Sequence, residues 1–470
     1  MEPKHRLTQF DLTNIIVGAI VGADIYIASA LTAGLVGPFS IVVWMIAGVF
    51  AGIIAMVFAY CSFYVPHVGG PFAYVSAALD QFYGFLTGWS LWIAELMALP
   101  VFAIAFVLYL QSFVTLNPEG QIVVRALFIG TLTLVNIIGV KAAGRFNDVL
   151  TVVKLFPLIL LILAGLLAFV TKPEAVAANY TPLLPLGFQN VGYAVVLVFW
   201  AYVGFEMGTF PASEVEKPRS TIPRAIINGM AIVGLFYILT NFVLYGLINW
   251  TVLTESKTPL VLAGTILFGT AGAAVMTIGA LLSVSGSDES GMLGTSRLAY
   301  AMALDGLLPR IFARLHPRFG TPYAILILQG AIAFLLSGYG SLSELISFSV
   351  FNIAFAYLLT CIALIVLVRH QQQHLVGQRI LPLIGIAICT FLLYSTTLSD
   401  KIAGTLVILA GIPLYIYFSP KEDIHHLKRL FLTEEAVLLR QVEIRNSYLG
   451  NIIRLLHLAY QRILVRMRSR

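Results

Sequence analysis

Residues Gly18–Gly34 read GAIVGADIYIASALTAG, and this stretch decides how the chain is interpreted. Nearly all of its side chains are apolar, as expected for a helix that crosses a membrane. However, Gly18 and Gly22 interrupt the apolar run, and Asp24 places a carboxyl group inside it. Ionisable groups are costly at membrane depth and mark functional sites. The stretch therefore predicts a membrane-spanning helix with a functional interruption near Asp24.

The composition of the whole chain supports a membrane protein. Of 470 residues, 59% are hydrophobic and 11% are charged, and the mean hydropathy is +0.93. Soluble domains carry about 25% charged residues. Apolar runs of about 20 residues, the length that a helix needs to cross a bilayer, recur as far as Pro420. A membrane β-barrel would show short alternating segments. We therefore predict an all-α integral membrane protein, without a cleavable signal peptide because the polar N-terminus precedes a long span.

The apolar runs are separated by short connectors, and they predict about 12 transmembrane helices. Their approximate ranges are 12–36, 39–64, 83–115, 122–140, 147–171, 187–211, 224–250, 259–303, 322–338, 343–369, 380–397 and 402–418. The eighth range is longer than one span requires. We therefore expect it to include a separate outer amphipathic piece.

Lysine and arginine residues are distributed unevenly between the connectors. If the N-terminus is cytoplasmic, the inner side holds the basic C-terminal tail together with Lys4, Arg6, Lys141, Arg145, Lys217, Arg219, Arg224, Arg297, Arg310, Arg314, Arg318, Arg369 and Arg379. The outer side holds only Arg125, Lys172, Lys257 and Lys401. Short cytoplasmic loops carry the excess of positive residues. We therefore predict a plasma-membrane protein with both termini in the cytoplasm.

Residues 419–470 form a polar, basic tail. Apolar residues such as Ile452, Leu455, Leu456 and Ile463 recur in it at near-helical spacing, and arginines lie between them. This pattern predicts an amphipathic helix that binds anionic membrane lipid, although a solvated helix or one packed on protein fits equally well. The net charge of +6 comes largely from this tail and the inner connectors. The charge therefore indicates membrane topology rather than a nucleic-acid partner.

Few ionisable residues lie inside the predicted spans. They are Asp24, Glu95, Lys154, Glu206, Asp288 and Glu289. Asp24 and Glu206 each lie two residues after a glycine, in the first and the sixth span. Paired glycine-interrupted spans indicate a transporter built from inverted repeats, whose broken helices expose backbone groups to a substrate. The alternative is that these glycines only permit close packing of helices.

Four motifs resemble those of the amino acid–polyamine–organocation permease superfamily. They are GADIY from Gly22, VPHVGGPFAYVSAALDQFYGFLTGW from Val65, FWAYVGFEMGTFPASEVEKPRSTIPRAI from Phe199, and MLGTSRLAYAMALDGLLPRIFARLHPRFGTP from Met292. The similarity extends from about residue 11 to residue 325 and is specific because the motifs occur together and in order.

The resemblance implies a leucine-transporter-like fold with a five-plus-five inverted repeat and broken helices 1 and 6. The transporter domain would be residues 1–418, with repeats at about 11–171 and 187–369 and two extra spans at about 380–418. The function implied is secondary active transport of amino acids, related amines or polyamines by alternating access, as proton-coupled symport or exchange. No enzymatic motif is present in the sequence, so we expect no enzyme, cofactor or metal site.

The resemblance also assigns residues to a substrate site at the two helix breaks. They are Gly22, Ala23, Asp24, Ile25, Trp200, Tyr202 and Gly204. The backbone around Gly22, Ala23 and Asp24 would form the unwound part of the first span, where free N–H groups receive a substrate carboxylate. The Trp200 ring would cover the substrate and could hold an amine by a cation–π interaction.

Ion coupling is assigned to Lys154, Glu206, Ser283 and Ser287 by the same resemblance. The Lys154 ammonium would take the place of the sodium ion that sodium-coupled relatives bind with hydroxyl groups at the positions of Ser283 and Ser287. Glu206 would act in proton sensing. An alternative for Lys154 is an amine that extends to the inner membrane surface.

Asp24 departs from the family pattern because it replaces the second glycine of the break. A carboxylate there would repel the carboxylate of an ordinary amino acid. The Asp24 side chain turns away, or is protonated, or faces a cationic substrate. Together with Glu206, Asp288 and Glu289, it favours an amine, a polyamine or a cationic amino acid as the substrate. Two other functions remain open on this fold, namely an inorganic-cation transporter and a nutrient receptor that binds without transporting. The partner of Glu95 also stays undecided.

Overall fold

A computed structural model describes residues 6–66, 69–139, 143–209, 215–369 and 377–419, with the backbone alone for residues 143–152. The predicted tail helix beyond residue 419 lies outside the described residues. The described chain is helical, with one isolated β-bridge between Leu7 and Val215. Residues up to Tyr415 belong to one compact unit, and a second unit begins at Ile416.

The described chain contains sixteen α-helices, numbered in chain order. They are α1 (Gln9–Ile20), α2 (Ala23–Val36), α3 (Ser40–Tyr64), α4 (Pro71–Ala78), α5 (Gln81–Leu110), α6 (Pro118–Ile138), α7 (Ala143–Thr171), α8 (Pro173–Asn179), α9 (Val191–Trp200), α10 (Pro218–Leu247), α11 (Trp250–Glu255), α12 (Pro259–Leu304), α13 (Tyr323–Leu336), α14 (Leu342–Arg369), α15 (Leu381–Ser395) and α16 (Leu398–Phe418). Short 3-10 segments at Gly37–Phe39, Phe205–Thr209 and Arg310–Ala313 connect or extend them.

The long apolar helices are those of a protein that crosses the membrane several times. Among the described residues, nine stretches are long and apolar enough to cross a membrane, and three further apolar helices, α1, α13 and α15, are shorter. One of the nine, Ala23–Tyr64, contains both α2 and α3. Each predicted span overlaps one of these segments, so the prediction of an all-α membrane protein is confirmed.

The first and the sixth predicted spans are both broken. In the first span, α1 ends at Ile20 and α2 begins at Ala23, and Val21 and Gly22 between them lie outside the helical conformation. In the sixth span, α9 ends at Trp200 and is followed by turns up to Gly204, whose φ of +121° favours glycine. A glycine supplies this conformation without the strain that a Cβ atom would cause. Both breaks occur where the sequence places them.

The first break is shorter than predicted. Ala23 and Asp24 belong to the first turn of α2 rather than to the unwound segment. Their N–H groups remain available nonetheless, because the first four N–H groups of a helix have no partner within it. The eighth span is divided as well, since Gly269 in α12 has a φ of +64° that interrupts the helix. The span therefore has two pieces, and the outer, amphipathic character expected for one of them stays a prediction.

The two breaks lie at the centre of the helix arrangement. The short α1 packs against α7, α10 and the 3-10 segment Phe205–Thr209. Its continuation α2 packs against α9, α11 and α12. The long α5 packs against α12 and α14 and lies beside α2. Side chains from α5, α7, α10 and α12 therefore surround the backbone that the breaks expose.

Candidate functional site

A small cavity of about 30 Å³ lies between the two breaks. Its lining comes from both broken spans and from α5 and α12, and consists of Ala19, Asp24, Glu95, Ala98, Phe102, Trp200, Val203, Gly204, Met207, Ser287 and Gly291. The volume holds roughly two water molecules. This space is smaller than an amino acid.

The carbonyl groups released at the end of α1 bind side chains from other helices. The Lys154 ammonium nitrogen on α7 lies 3.0 Å from the Gly18 carbonyl oxygen. On α12, the Ser287 hydroxyl lies 3.0 Å from the same oxygen and 2.8 Å from that of Val21, and the Ser283 hydroxyl donates to Val21 at 2.9 Å. The last carbonyls of a helix have no partner within it and favour a positive charge. The structure thus brings Lys154, Ser283 and Ser287 together at the carbonyl groups released by the first break.

The amino end of α2 is occupied by the side chain of Asp24. Its carboxylate lies beside the backbone N–H groups of Gly22 and Asp24. The Tyr237 hydroxyl on α10 lies 3.1 Å from Asp24 Oδ2 and 3.0 Å from the Ile20 carbonyl oxygen. An anionic group is stabilised at the amino end of a helix. Tyr237 therefore connects the two sides of the first break.

Tyr237 was not predicted from the sequence, although a signal for it exists. Tyr237, Asn241 and Tyr245 recur every four residues in the largely apolar second half of α10, so they share one face. The Ser29 hydroxyl donates to Asn241 Oδ1 at 2.7 Å, and the Tyr245 hydroxyl donates to the Ser29 carbonyl at 2.7 Å. This polar row runs along α2 and ends at the break.

At the second break, the Glu206 carboxylate folds back on its own chain. Its Oε2 atom accepts a hydrogen bond from the Gly204 N–H at 3.1 Å, and the Thr209 hydroxyl donates to the Glu206 carbonyl at 2.6 Å. Its other oxygen, Oε1, has no hydrogen-bond partner among the described residues. Glu206 is buried and does not line the cavity. Its polar contacts therefore stabilise the break locally.

Two aromatic rings form one wall of the cavity, and a third that was expected there faces elsewhere. The rings of Trp200 and Phe102 lie 5.7 Å apart and both line the cavity. Tyr202 instead packs against Trp44 and Tyr237, with ring centroids 5.9 and 5.3 Å away, and its hydroxyl donates to the Trp44 carbonyl. Tyr202, which the resemblance assigns to substrate binding, therefore does not line this cavity, and its hydroxyl has its acceptor on α3.

Glu95 is a second acid in the cavity wall. It projects from the middle of α5, is 9% exposed, and has no hydrogen bond to any described residue. Its position among apolar residues in the sequence was the signal for a buried carboxyl group, but the sequence left its role undecided. The structure places it in the same cavity as Asp24.

The predicted site residues thus fall into two groups. Asp24, Trp200, Gly204 and Ser287 line the cavity. The others surround it without lining it, namely Gly22, Ala23, Ile25, Tyr202, Lys154, Glu206 and Ser283. A Cβ atom added at Gly22 would lie 2.8 Å from Ser287 and 2.9 Å from Phe102, so a glycine is required for the close approach of these helices.

Comparisons with known proteins agree with this arrangement. Residues 7–416 match the family described as Amino acid permease. In Bacillus subtilis (strain 168), the methylthioribose transporter is 27% identical over 440 residues, covering 89% of this chain and 94% of the relative. The branched-chain amino acid permease BcaP is 26% identical over 448 residues, with coverages of 89% and 94%. The serine/threonine exchanger SteT is 25% identical over 429 residues, with coverages of 86% and 94%.

The family match covers most of the chain, and with the broken spans it identifies the class of protein. The chain belongs to the amino acid permease family, within the amino acid–polyamine–organocation superfamily. The protein is therefore a multi-pass membrane transporter and not an enzyme.

Proposed function

We propose that the protein is a secondary active transporter of amino acids or related amines and that protons are its coupling ion. The observation that supports this most directly is the Lys154 ammonium, which lies 3.0 Å from the Gly18 carbonyl at the first break. A buried lysine can release and regain a proton. Because Ser287 lies between Lys154 and the cavity, a change in the charge of Lys154 acts on the break and on the substrate site together.

The Lys154 ammonium also takes the place of a metal ion at the first break. Carbonyl and hydroxyl oxygens converge there from Gly18, Val21, Ser283 and Ser287, and such oxygens are ligands of hard cations. The Lys154 nitrogen already contacts two of these groups. We therefore propose that transport does not require sodium.

Alternating access is proposed as the mechanism because the cavity must change its size. A volume of about 30 Å³ does not accommodate an amino acid, so substrate enters only when the surrounding helices move. We propose that residues 11–171 and 187–369 form the two inverted repeats whose relative motion opens the cavity to each side in turn. The two breaks are the points where helix direction can change without loss of regular hydrogen bonds.

Uptake by purified protein in liposomes tests this proposal. Radiolabelled amino acids and amines are offered under an inward proton gradient, an inward sodium gradient, or neither. We expect accumulation above the external concentration under the proton gradient alone. Accumulation that requires sodium would refute the proposed coupling, and uptake that only equilibrates would refute active transport.

Inorganic-cation transport is a second candidate, and it is favoured by the two acids, Asp24 and Glu95, in one cavity. Rubidium uptake in the same liposomes distinguishes it from transport of organic substrates. A receptor that does not transport is distinguished in the same way, because it binds a ligand, raises the melting temperature, and accumulates nothing.

We also propose that both termini lie in the cytoplasm of a plasma-membrane protein. The three native cysteines are buried, so cysteines introduced on the surface are selectively labelled. In intact cells, a membrane-impermeant maleimide should label Lys257→Cys and should reach Arg314→Cys only after permeabilisation. The opposite labelling pattern would invert the topology.

A further inference from the structure

The amino end of α2 is the most favourable place for an anion in the cavity wall. The helix has 14 residues, and the N–H groups of its first turn have no partners within the helix. Such a helix end attracts a carboxylate. Here the carboxylate is part of the chain itself, because Asp24 lies beside the N–H groups of Gly22 and Asp24 and is hydrogen-bonded by Tyr237. An amino acid carboxylate would find the Asp24 carboxyl group already placed beside these donors.

A second carboxyl group faces the same cavity. Glu95 is 9% exposed, lines the cavity, and has no hydrogen-bond partner among the described residues. A buried carboxyl group without a partner is costly, and a cation that reaches it relieves the cost. The side chain is therefore available to an ammonium group that enters the cavity.

A third acidic side chain lies behind this wall. Asp288 on α12 is 1% exposed, and neither of its carboxyl oxygens has a hydrogen-bond partner among the described residues. It lies three residues before Gly291, where an added Cβ atom would be 3.6 Å from Glu95 Oε2. Asp288 does not line the cavity itself.

The basic group nearest to these acids is engaged elsewhere. The Lys154 ammonium is directed to the Gly18 carbonyl and to Ser287, and it does not line the cavity. Among the described residues that do line it, two are acidic and none is basic. Charges attract strongly at low dielectric, so the cavity favours a cation over a molecule that also carries a carboxylate.

The aromatic part of the lining suits the apolar part of an amine. Trp200 and Phe102 present aromatic rings, and Met207 lies beside them in the lining. Aromatic faces attract ammonium groups by cation–π interaction and pack against hydrocarbon chains. Acidic and aromatic side chains in one lining are suited to a primary amine with an apolar stem.

We propose that Asp24 and Glu95 form an ammonium-binding site and that Asp24 occupies the place where a substrate carboxylate would bind. The substrates are therefore carboxylate-free amines, and the parent amino acids are excluded. This inference rests on the proposed transport function and specifies its substrate class. Glu95 contacts the ammonium group, and Tyr237 is a positioning residue that holds the Asp24 carboxylate at the amino end of α2.

Matched pairs of ligands that differ only in the carboxylate test the proposal. Isoamylamine is compared with leucine, phenethylamine with phenylalanine, and cadaverine with lysine, by thermal shift of the purified protein and by uptake into liposomes. We expect the amines to raise the melting temperature and to be accumulated, and the amino acids to do neither. Equal binding of both members of each pair would overturn the proposal.

Variants of the two acids make the test independent of the choice of ligand. In Glu95→Gln, the dissociation constant for the amine should rise at least about tenfold, because one member of a buried charge pair is lost, while amino acids stay excluded. Glu95→Asp should retain amine binding. In Asp24→Gly, amine binding should weaken and binding of the parent amino acid should appear, because the N–H groups of α2 become available. If Glu95→Gln binds amines as the unmodified protein does, the assignment of Glu95 is wrong.

Controls separate this proposal from the transport function. Glu344→Gln alters an exposed acid at the start of α14 and should change neither binding nor uptake. If amines bind without accumulating, the ammonium site stands and the proposed transport fails. If amino acids accumulate and amines do not, transport stands and the ammonium site fails.

Discussion

The two helix breaks differ in the partners that bind their polar groups. At the first break, the released carbonyls of Gly18, Ile20 and Val21 bind side chains that belong to α7, α10 and α12. At the second, Glu206 and Thr209 bind groups of the same segment. The first break is therefore maintained by the rest of the molecule, whereas the polar contacts of the second are local. A change in charge elsewhere in the protein should act mainly on the first break.

The largest expected effect follows from Lys154→Met. Without the ammonium group, the Gly18 carbonyl loses its charged partner and protons lose their proposed binding group. We expect accumulation driven by a proton gradient to be abolished, while exchange of labelled for unlabelled substrate across the membrane persists. Parallel assays of both activities in liposomes measure this. Lys172→Met, which removes an exposed lysine just after α7, is the matched control, and normal accumulation in Lys154→Met would contradict the assignment.

Alanine at the two break glycines should be nearly as harmful, for different reasons. At Gly22 the added methyl lies 2.8 Å from Ser287, and at Gly204 the φ of +121° is strained for any side chain. Overpacking and backbone strain each cost about 1–3 kcal/mol. Thermal unfolding in detergent should show a lower melting temperature for both variants. Gly234→Ala is the control, because nothing lies within 4 Å of its added Cβ atom, and equal losses in all three variants would contradict the prediction.

A smaller and more selective effect is expected for Tyr237→Phe. The loss of its hydrogen bonds to Ile20 and Asp24 should cost about 1–2 kcal/mol and raise the substrate KM, because the Asp24 carboxylate is no longer held. Tyr245→Phe loses a similar bond to the Ser29 carbonyl, away from the break, and should lower stability without changing KM. Equal KM values in the two variants would show that Tyr237 has only a structural role.

The smallest effect is expected at the second break. In Glu206→Gln the side-chain amide oxygen still accepts the Gly204 N–H, so the break keeps its local hydrogen bond. We expect a loss of stability of about 1 kcal/mol or less and a proton-driven uptake that remains clearly above that of Lys154→Met. If proton-driven uptake by Glu206→Gln were as low as that by Lys154→Met, both breaks would take part in ion coupling, and the difference between the two breaks would not hold.

The sequence predicts the breaks well because their signals are local. A glycine two residues before an acid in an apolar span marks both Gly22 and Gly204, and the structure breaks the helices there. Lys154, Ser283 and Ser287 were assigned by resemblance, and they meet at the released carbonyls. These features depend on residue type and position along the chain rather than on the details of packing.

Contacts between distant segments could not be predicted in the same way. Tyr237 and Asp24 are 213 residues apart in the chain, and no spacing rule pairs them. The direction of Tyr202 depends on a carbonyl of α3, so the resemblance could not show that its ring packs away from the cavity. For Asp24 the sequence left three possibilities open, namely a side chain that turns away, a protonated side chain and a cationic substrate, and in the structure Asp24 is among the residues that line the cavity.

The hydroxyl group of Ser287 connects the cavity with the Lys154 ammonium group. It lines the cavity and lies 3.5 Å from the Lys154 nitrogen. Under the proposed coupling, thermodynamic linkage applies to the two sites. A proton on Lys154 changes the affinity for substrate by a certain factor, and bound substrate must change the proton affinity of Lys154 by the same factor. Substrate binding measured across a range of pH and proton release measured on adding substrate must therefore give one coupling free energy, and Ser287→Ala should reduce both by the same amount.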